Sequence, residues 1–216
     1  MSKTLDRAFF DRLSPVVARD LLGKVLVRGS SGGRLAGVIV ETEAYRGGRD
    51  WASHAFRGKT PRNLVMFGEP GHAYVYFTYG NHWMLNLTVG RAGIPAAVLL
   101  RAIEPTEGVG EMKRHRGVES DVQVASGPGK LTKALGVTGD LNGEDVATSQ
   151  TLFLEDRKEK VKVGRTTRVG ISSGDWQRWR FFIEDNRFVS KGKPSPYVPR
   201  TYNYAKAKRG RSGVVG

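Results

Sequence analysis

The 216-residue chain has the length of one large domain, and its 39% hydrophobic and 26% charged residues are ordinary for a globular protein. Its 35 Lys and Arg residues outnumber 21 Asp and Glu residues, and the resulting formal charge of +14 favours a polyanionic partner such as nucleic acid. The chain has no Cys and no paired His spacing, so we exclude thiol chemistry and thiolate zinc sites and expect neither a metal nor another cofactor.

The first elements in chain order are a short helix and a hairpin. Ser14 suits a helix N-cap, Pro15 suits the first helical position, and Gly23 suits the position past the helix end. Strand-like alternation then covers residues 24–28 and 35–43, with a turn-rich break between them. We therefore expect these two strands to pair.

A long loop and a second hairpin follow. Residues 46–62 contain several Gly and Pro residues with little periodicity, which predicts an ordered loop of the kind that often carries function. Residues 72–79 and 82–89 are rich in aromatic and β-branched side chains, and Gly80 and Asn81 separate them. This pattern predicts two strands joined by a two-residue type II′ loop.

The rest of the chain predicts strands and short helices around the same sheet. Thr106 can cap a helix that runs to Arg116, and the other predicted elements are a strand over 96–101, a helix between Ser126 and Gly136, and strands over 152–154 and 180–183. The expected fold is a single α+β domain over residues 1–205, mainly antiparallel sheet with peripheral helices. Residues 206–216 are rich in Lys, Arg and Gly and predict a disordered basic tail.

Two glutamates stand out on the second predicted strand. Glu41 and Glu43 are two residues apart, so their carboxylates should lie on the same side of the strand. They could form an acid and base pair that cleaves a sugar bond, or one could be catalytic while the other is a structural or solvated neighbour. Glu43 ends an apolar strand just before the glycine-rich loop, which favours it as the functional residue.

The predicted hairpin places Tyr79 at its tip, beside Gly80. This aromatic side chain could be a cross-strand partner of His82. Alternatively, on a basic protein, it could wedge between base pairs and replace the stacking of an extruded nucleotide. Three other side chains could be core aromatics or could line a pocket for such a base, namely Tyr45, His54 and Tyr76.

A series of short motifs follows along the chain in one order, namely Val40-Glu41-Thr42-Glu43-Ala44-Tyr45, Ser53-His54, Thr60-Pro61-Arg62-Asn63, Met66-Phe67, Pro70-Gly71, Tyr74-Val75-Tyr76, Tyr79-Gly80, Asn86, Val98-Leu99-Leu100-Arg101-Ala102, Glu104-Pro105, Ser126-Gly127-Pro128 with Lys130-Leu131, Arg168-Val169-Gly170 and Arg180-Phe181. This series resembles the 3-methyladenine DNA glycosylase family of the alkyladenine type. The resemblance extends from about residue 8 to residue 191. It implies a curved sheet from which the second hairpin protrudes.

The resemblance also implies a catalytic arrangement. Glu43 would be the general base that deprotonates the attacking water, and Arg101 and the main-chain carbonyl of Val169 would help to hold that water. The implied reaction hydrolyses the bond between deoxyribose and a purine that has been flipped out of double-stranded DNA, and it leaves an abasic site. The candidate bases are 3-methyladenine, hypoxanthine and ethenoadenine.

The same resemblance assigns residues to base recognition. Tyr79 would intercalate, Tyr45, His54 and Tyr76 would enclose the flipped base, and Asn86 would crowd the amino group of normal guanine. In a regular two-residue hairpin, however, Tyr76 and Asn86 would face opposite sides. A bulge or strong twist would then be needed for both side chains to line one pocket.

Several rival functions and properties follow from the same residues. A non-catalytic nucleic-acid binder would keep the basic surface, a carbohydrate hydrolase would use both glutamates, and a phosphate-loop enzyme is excluded because Leu131 follows Gly129-Lys130.

No amine nucleophile is evident, so we expect a monofunctional enzyme without strand cleavage. We also expect a monomer without membrane association, located in the cytoplasm or nucleoid, or in the nucleus of a eukaryote.

Overall fold

The computed structural model describes residues 3–30, 32–48, 50–78, 80–171 and 177–197. The strands within these ranges are β1 (Val25–Ser30), β2 (Gly33–Arg46), β3 (Ala73–Thr78), β4 (His82–Thr88), β5 (Ala96–Glu107), β6 (Leu152–Glu155), β7 (Val163–Thr166) and β8 (Arg180–Ile183). The α-helices are α1 (Arg7–Phe10), α2 (Ser14–Asp20), α3 (Val109–Arg116), α4 (Asp121–Val124) and α5 (Pro128–Ala134), and 3₁₀ helices cover Pro61–Phe67 and Gly139–Leu141. In the described ranges, no helix is long and apolar enough to cross a membrane.

The strands form one curled antiparallel sheet with β2 near its centre. Its main order is β3-β4-β5-β2-β1-β6, while β8 pairs with β2 and with β7. β1 pairs with the first half of β2, and β8 pairs with residues Glu41–Glu43 in the second half. The structure thus confirms the predicted α+β class, the antiparallel sheet and the β1–β2 hairpin.

The two faces of the sheet have different coverings. Helices α2, α3 and α5 pack on one face, where the largest hydrophobic core includes Val75 and Val98. On the other face, Tyr74 and Ala97 join a smaller cluster with Met66 of the first 3₁₀ helix. Because successive strand residues point to opposite faces, β3 and β5 contribute to both clusters.

An irregularity in β2 directs its two glutamates away from the helices. The register between β2 and β5 shifts on either side of Glu41. Thr42, by contrast, faces the helical side, since its hydroxyl donates to the carbonyl of Ala18 in α2 at 2.7 Å. Bulges of this kind re-aim side chains, and this one places Glu41 and Glu43 on the same face as the smaller cluster.

The register of the second hairpin differs from the sequence-based expectation. Thr78 pairs with His82, so three residues separate the strands, and the predicted two-residue type II′ loop is wrong. His82 consequently has Thr78, not Tyr79, as its cross-strand partner. The N–H of Asn81 donates to the carbonyl of Thr78 at 3.3 Å, and Gly80 supplies the positive φ of 71° that this tight connection uses. Tyr79 itself lies outside the described residues.

The observed register places Tyr76 and Asn86 on the same side of the hairpin. Tyr74 lies opposite Asn86, and Tyr76 lies opposite Met84. Since directly opposed and alternate residues share a face, Tyr74, Tyr76 and Asn86 all point to one side. The three-residue connection therefore brings Tyr76 and Asn86 to one face of the sheet, and no bulge between β3 and β4 is required.

The N-caps of two helices differ from the sequence-based expectation. Leu13, not Ser14, is the N-cap of α2, and Gly108, not Thr106, is the N-cap of α3. Thr106 belongs to β5, because the β5 ladder continues along β2 as far as Glu107. Strand β7 was not predicted, and residues 206–216 lie outside the described residues.

Candidate active site

Glu43 lies on the second half of β2, between β5 and β8, and has no exposed surface. Its Oε1 accepts a hydrogen bond from the main-chain N–H of Val169 at 2.7 Å. Its Oε2 accepts one from the Tyr45 hydroxyl at 2.9 Å and lies 3.3 Å from Nη1 of Arg101. The buried carboxylate is therefore surrounded by polar donors rather than by apolar side chains, which compensates its desolvation.

Glu41 forms the other half of a buried ionic network. Its Oε1 accepts from Nε of Arg101 and from Nε of Arg180, both at 2.7 Å. Ser190 donates to the same carboxylate from its N–H at 2.8 Å and from its hydroxyl at 3.0 Å. Arg101 thus bridges the two glutamates, and two buried negative charges are balanced by two buried positive charges.

The pKa shifts of this network follow from burial and charge. Burial alone would raise the pKa of Glu41, but Arg101 and Arg180 outweigh it, and the pKa lies below the ordinary value. Burial and the negative charge of Glu43 raise the pKa of Tyr45 well above 10.0, although Arg168 opposes part of the rise. Tyr45 therefore stays protonated and remains a donor to Glu43, and Glu41 is poorly suited to act as an acid.

An aromatic pocket adjoins this network on the same face of the sheet. Its volume is about 70 Å³, and its lining consists of Tyr45, Ala52, Ser53, His54, Met66, Tyr74, Tyr76, Asn86 and Ala97. One water molecule needs roughly 10–15 Å³ of such space, so the pocket can hold several waters or part of a flat ring. Tyr45 belongs both to the pocket wall and to the hydrogen-bonded surroundings of Glu43.

The pocket wall is held together by ring contacts. The His54 ring lies 4.5 Å from that of Tyr76, and its Nδ1 is hydrogen-bonded to the Tyr74 hydroxyl at 2.9 Å. Desolvation and the charge of Arg62 lower the pKa of His54, so its ring is neutral at pH 7. Burial raises the pKa of Tyr74 to about 12. The three rings are therefore uncharged at pH 7, and the guanidinium of Arg62 lies over the ring of Tyr76 at 5.1 Å.

The structure brings the predicted residues together in two connected groups. Arg101 and Val169 contact Glu43, whereas His54, Tyr76 and Asn86 line the pocket, and Tyr45 belongs to both groups. The contact from Val169 to Glu43 is made by its N–H, so the water-holding role of its carbonyl stays a prediction. The amide nitrogen of Asn86 donates to the carbonyl of Tyr74 at 3.1 Å, which fixes the side chain in the wall.

Sequence reasoning missed several residues of this region. Tyr74 lines the pocket, and its spacing of two from Tyr76 could have revealed that both share a face. Asp50 and Arg168 form a buried ion pair behind Tyr45. No sequence signal pairs these two, because 118 positions separate them.

Comparison with known proteins agrees with the resemblance seen in the sequence. The family model described as methylpurine-DNA glycosylase (MPG) matches residues 8–187. A protein of Carboxydothermus hydrogenoformans is 47% identical over 191 residues, which cover 87% of this chain and 98% of that protein. One of Methanocella arvoryzae is 48% identical over 194 residues, covering 88% and 97% respectively, and both carry the name "Putative 3-methyladenine DNA glycosylase". The chain therefore belongs to the methylpurine-DNA glycosylase family.

Proposed function

We propose that this DNA glycosylase hydrolyses the N-glycosidic bond of alkylated purines flipped out of duplex DNA, using a water molecule that Glu43 deprotonates. The observation that carries the proposal is the position of Glu43, one hydrogen bond behind an aromatic pocket and fixed there by Val169 and Arg101. The product would be an abasic site.

The chemistry of the substrate explains why one carboxylate suffices. Cleavage of an N-glycosidic bond develops positive charge on the sugar, and a purine alkylated at N3 or N7 already carries a positive charge that makes it a good leaving group. A strong general acid is then unnecessary. A carboxylate can orient water and stabilise the cationic transition state, effects typically worth about 10²- to 10⁴-fold for acid–base catalysis.

The burial of Glu43 sets a condition on this mechanism. In the structure its Oε2 is occupied by the Tyr45 hydroxyl, and no surface of Glu43 is left for solvent to contact. Water therefore reaches the carboxylate only when a neighbouring side chain moves, and the second lone pair of Oε2 can accept from that water while the Tyr45 hydroxyl keeps its own hydrogen bond.

The pocket suits a flat, cationic base. Electron-rich rings attract a positive charge that lies over their faces, and His54, Tyr74 and Tyr76 supply such rings without adding a positive charge of their own. Asn86 also lines the pocket, where it would crowd the amino group of guanine. Hypoxanthine and ethenoadenine are further candidate substrates, although as neutral bases they would need protonation.

A carbohydrate hydrolase is less compatible with the site. That function would need Glu41 as the second working carboxylate, but Glu41 is buried and saturated by Arg101, Arg180 and Ser190. The +14 charge would also have no role with neutral sugars.

The direct test of the proposed function is a panel of duplexes that each carry one lesion, scored for released free base. A non-catalytic binder would retain lesion affinity but release none.

Tyr79 is proposed to intercalate where the base leaves the stack. The Tyr79→Ala variant should flip the base less, because the lost stacking is worth a few kcal/mol. A duplex with a fluorescent, environment-sensitive damaged base reports the flipping directly. A fluorescence change as large as that of the unmodified protein would count against intercalation.

A further inference from the structure

A buried ion pair connects the chain segments that build the site. Arg168 donates to both carboxylate oxygens of Asp50, with Nη1 at 2.6 Å and Nη2 at 2.9 Å. Their exposed fractions are only 1% and 2%. The two-point geometry fixes the orientation of the guanidinium plane as well as its position.

Asp50 ties the glycine-rich loop to the end of β2. Its two oxygens accept hydrogen bonds from the N–H of Arg46 and from the N–H of Ala52, each at 3.1 Å. Ala52 and His54, two residues further along the loop, both line the pocket. The carboxylate therefore sets where the loop wall of the pocket stands relative to β2.

Arg168 acts on the other side of the pair. It donates to the carbonyl of Ala44 at 3.1 Å, and its guanidinium lies over the ring of Tyr45 at 4.7 Å and over that of Trp179 at 5.4 Å. The next residue is Val169, whose N–H binds Glu43. The Arg168 side chain thus fixes the ring of Tyr45, which lines the pocket. The backbone of Arg168 continues directly to Val169, whose N–H orients the carboxylate of Glu43.

We propose that Arg168 and Asp50 are positioning residues, which hold the Val169 N–H and the Tyr45 hydroxyl against the two oxygens of Glu43. The hydrogen bonds of this pair run between Arg168 and Asp50 and to the backbone of Ala44, Arg46 and Ala52, so both side chains act on Glu43 through other groups. The catalytic consequence rests on the proposed function of Glu43, whereas the positional consequence does not. A buried ion pair is weak evidence for stability, because apolar replacements of similar volume often stabilise as well. Its two-point geometry is better suited to fixing orientation.

The variants separate geometry from charge and from stability. Asp50→Asn and Arg168→Lys each keep the size of the side chain but remove the two-point pairing. Asp145→Asn is the matched control, because Asp145 also accepts from an arginine, Arg7, and from the N–H two residues on, at Ala147. Should a single variant fail to fold, the double variant Asp50→Leu with Arg168→Met replaces the pair with apolar groups.

Hydrogen exchange at the Val169 amide tests the positional claim without any enzymatic assay. In Asp50→Asn and in Arg168→Lys, or in the double variant, this amide should exchange about tenfold faster or more, as local opening becomes easier. In Asp145→Asn the change should stay below about twofold. Unchanged exchange at Val169 in folded variants of the pair would overturn the proposal.

Single-turnover base release then tests the catalytic claim. With protein in excess over a methylated duplex, release should slow about tenfold to a hundredfold in the pair variants, because misplacement of a catalytic group has that effect. Lesion affinity should change far less, and Asp145→Asn should match the unmodified protein. Altered Val169 exchange with normal release would overturn the catalytic part. If the unmodified protein releases no base, the proposed function fails, and Val169 exchange still decides the positional claim.

Discussion

The buried ionic network and the aromatic pocket lie side by side on one face of the sheet, yet they differ in burial and in charge. In the network, Glu41, Glu43 and Arg101 have little or no exposed surface, and their charges are paired. In the pocket, half-buried or exposed rings such as Tyr76 and His54 face open space. Tyr45 is the side chain that belongs to both.

This difference separates positioning from recognition. A saturated, dry network can hold a carboxylate in one orientation, because every displacement breaks a charge-assisted hydrogen bond. An aromatic wall instead accepts any flat base that fits, since stacking depends little on the details of the ring. The network should therefore govern stability and reaction rate, and the wall should govern affinity.

The largest effect should come from breaking the network at its centre. Arg101→Met removes the cation between two buried carboxylates and should lower the free energy of unfolding by about 3–5 kcal/mol, the usual result of leaving buried charge unpaired. Urea titration measures the change. Arg34 pairs with Glu107 and Glu155 at the surface, so Arg34→Met should cost less than about 1 kcal/mol. An equal loss of unfolding free energy in the two variants would mean that the buried network contributes no more to stability than a surface ion pair does.

A smaller effect is expected in the pocket wall. Tyr76→Ala should weaken binding to a lesion-containing duplex by about 1–3 kcal/mol, the usual contribution of one aromatic ring stacked on a base. The free energy of unfolding should change less than in Arg101→Met. Affinity for the same duplex without a lesion is the internal control. Parallel losses on damaged and undamaged DNA would show that Tyr76 contributes nothing to base recognition.

The smallest effect concerns pH and His54. The pKa of His54 is lowered in the folded protein from the ordinary value of 6.5, so acid favours the unfolded chain, which takes up the proton first. This contribution to stability is fully present above pH 6.5 and is lost as the pH falls from 6.5 through the folded pKa. The His54→Gln variant should lack that part of the decline when urea titrations are compared at pH 7.5, 6.5 and 5.5. Identical pH dependence in both proteins would refute the assignment.

Local patterns in the sequence predicted most of the sheet. Alternation and turn residues located β1 with β2 and the strands of the second hairpin, because these elements depend on neighbouring residues. The hairpin register was missed, since the choice between two and three loop residues depends on which faces must pack. Thr106 was assigned to a helix for a similar reason, because the long ladder between β2 and β5 overrides local capping preference.

The candidate site was predicted less completely than the sheet. Glu43 and four of the pocket residues, Tyr45, His54, Tyr76 and Asn86, could be singled out from motifs, and the two glutamates could be placed on one side of a strand. The sequence left the role of Glu41 open, because the arginines and serine that saturate it are 60 to 149 residues away. Contacts over such separations are set by the tertiary fold alone.

Single-turnover base release by Glu43→Gln, on a duplex with one 3-methyladenine, tests the central claim most directly. The amide keeps the size of the side chain but cannot take up a proton from water. We predict that lesion affinity is retained while release slows by about 10²- to 10⁴-fold. Release at a near-normal rate by a folded Glu43→Gln protein would contradict the assignment of Glu43 as the general base.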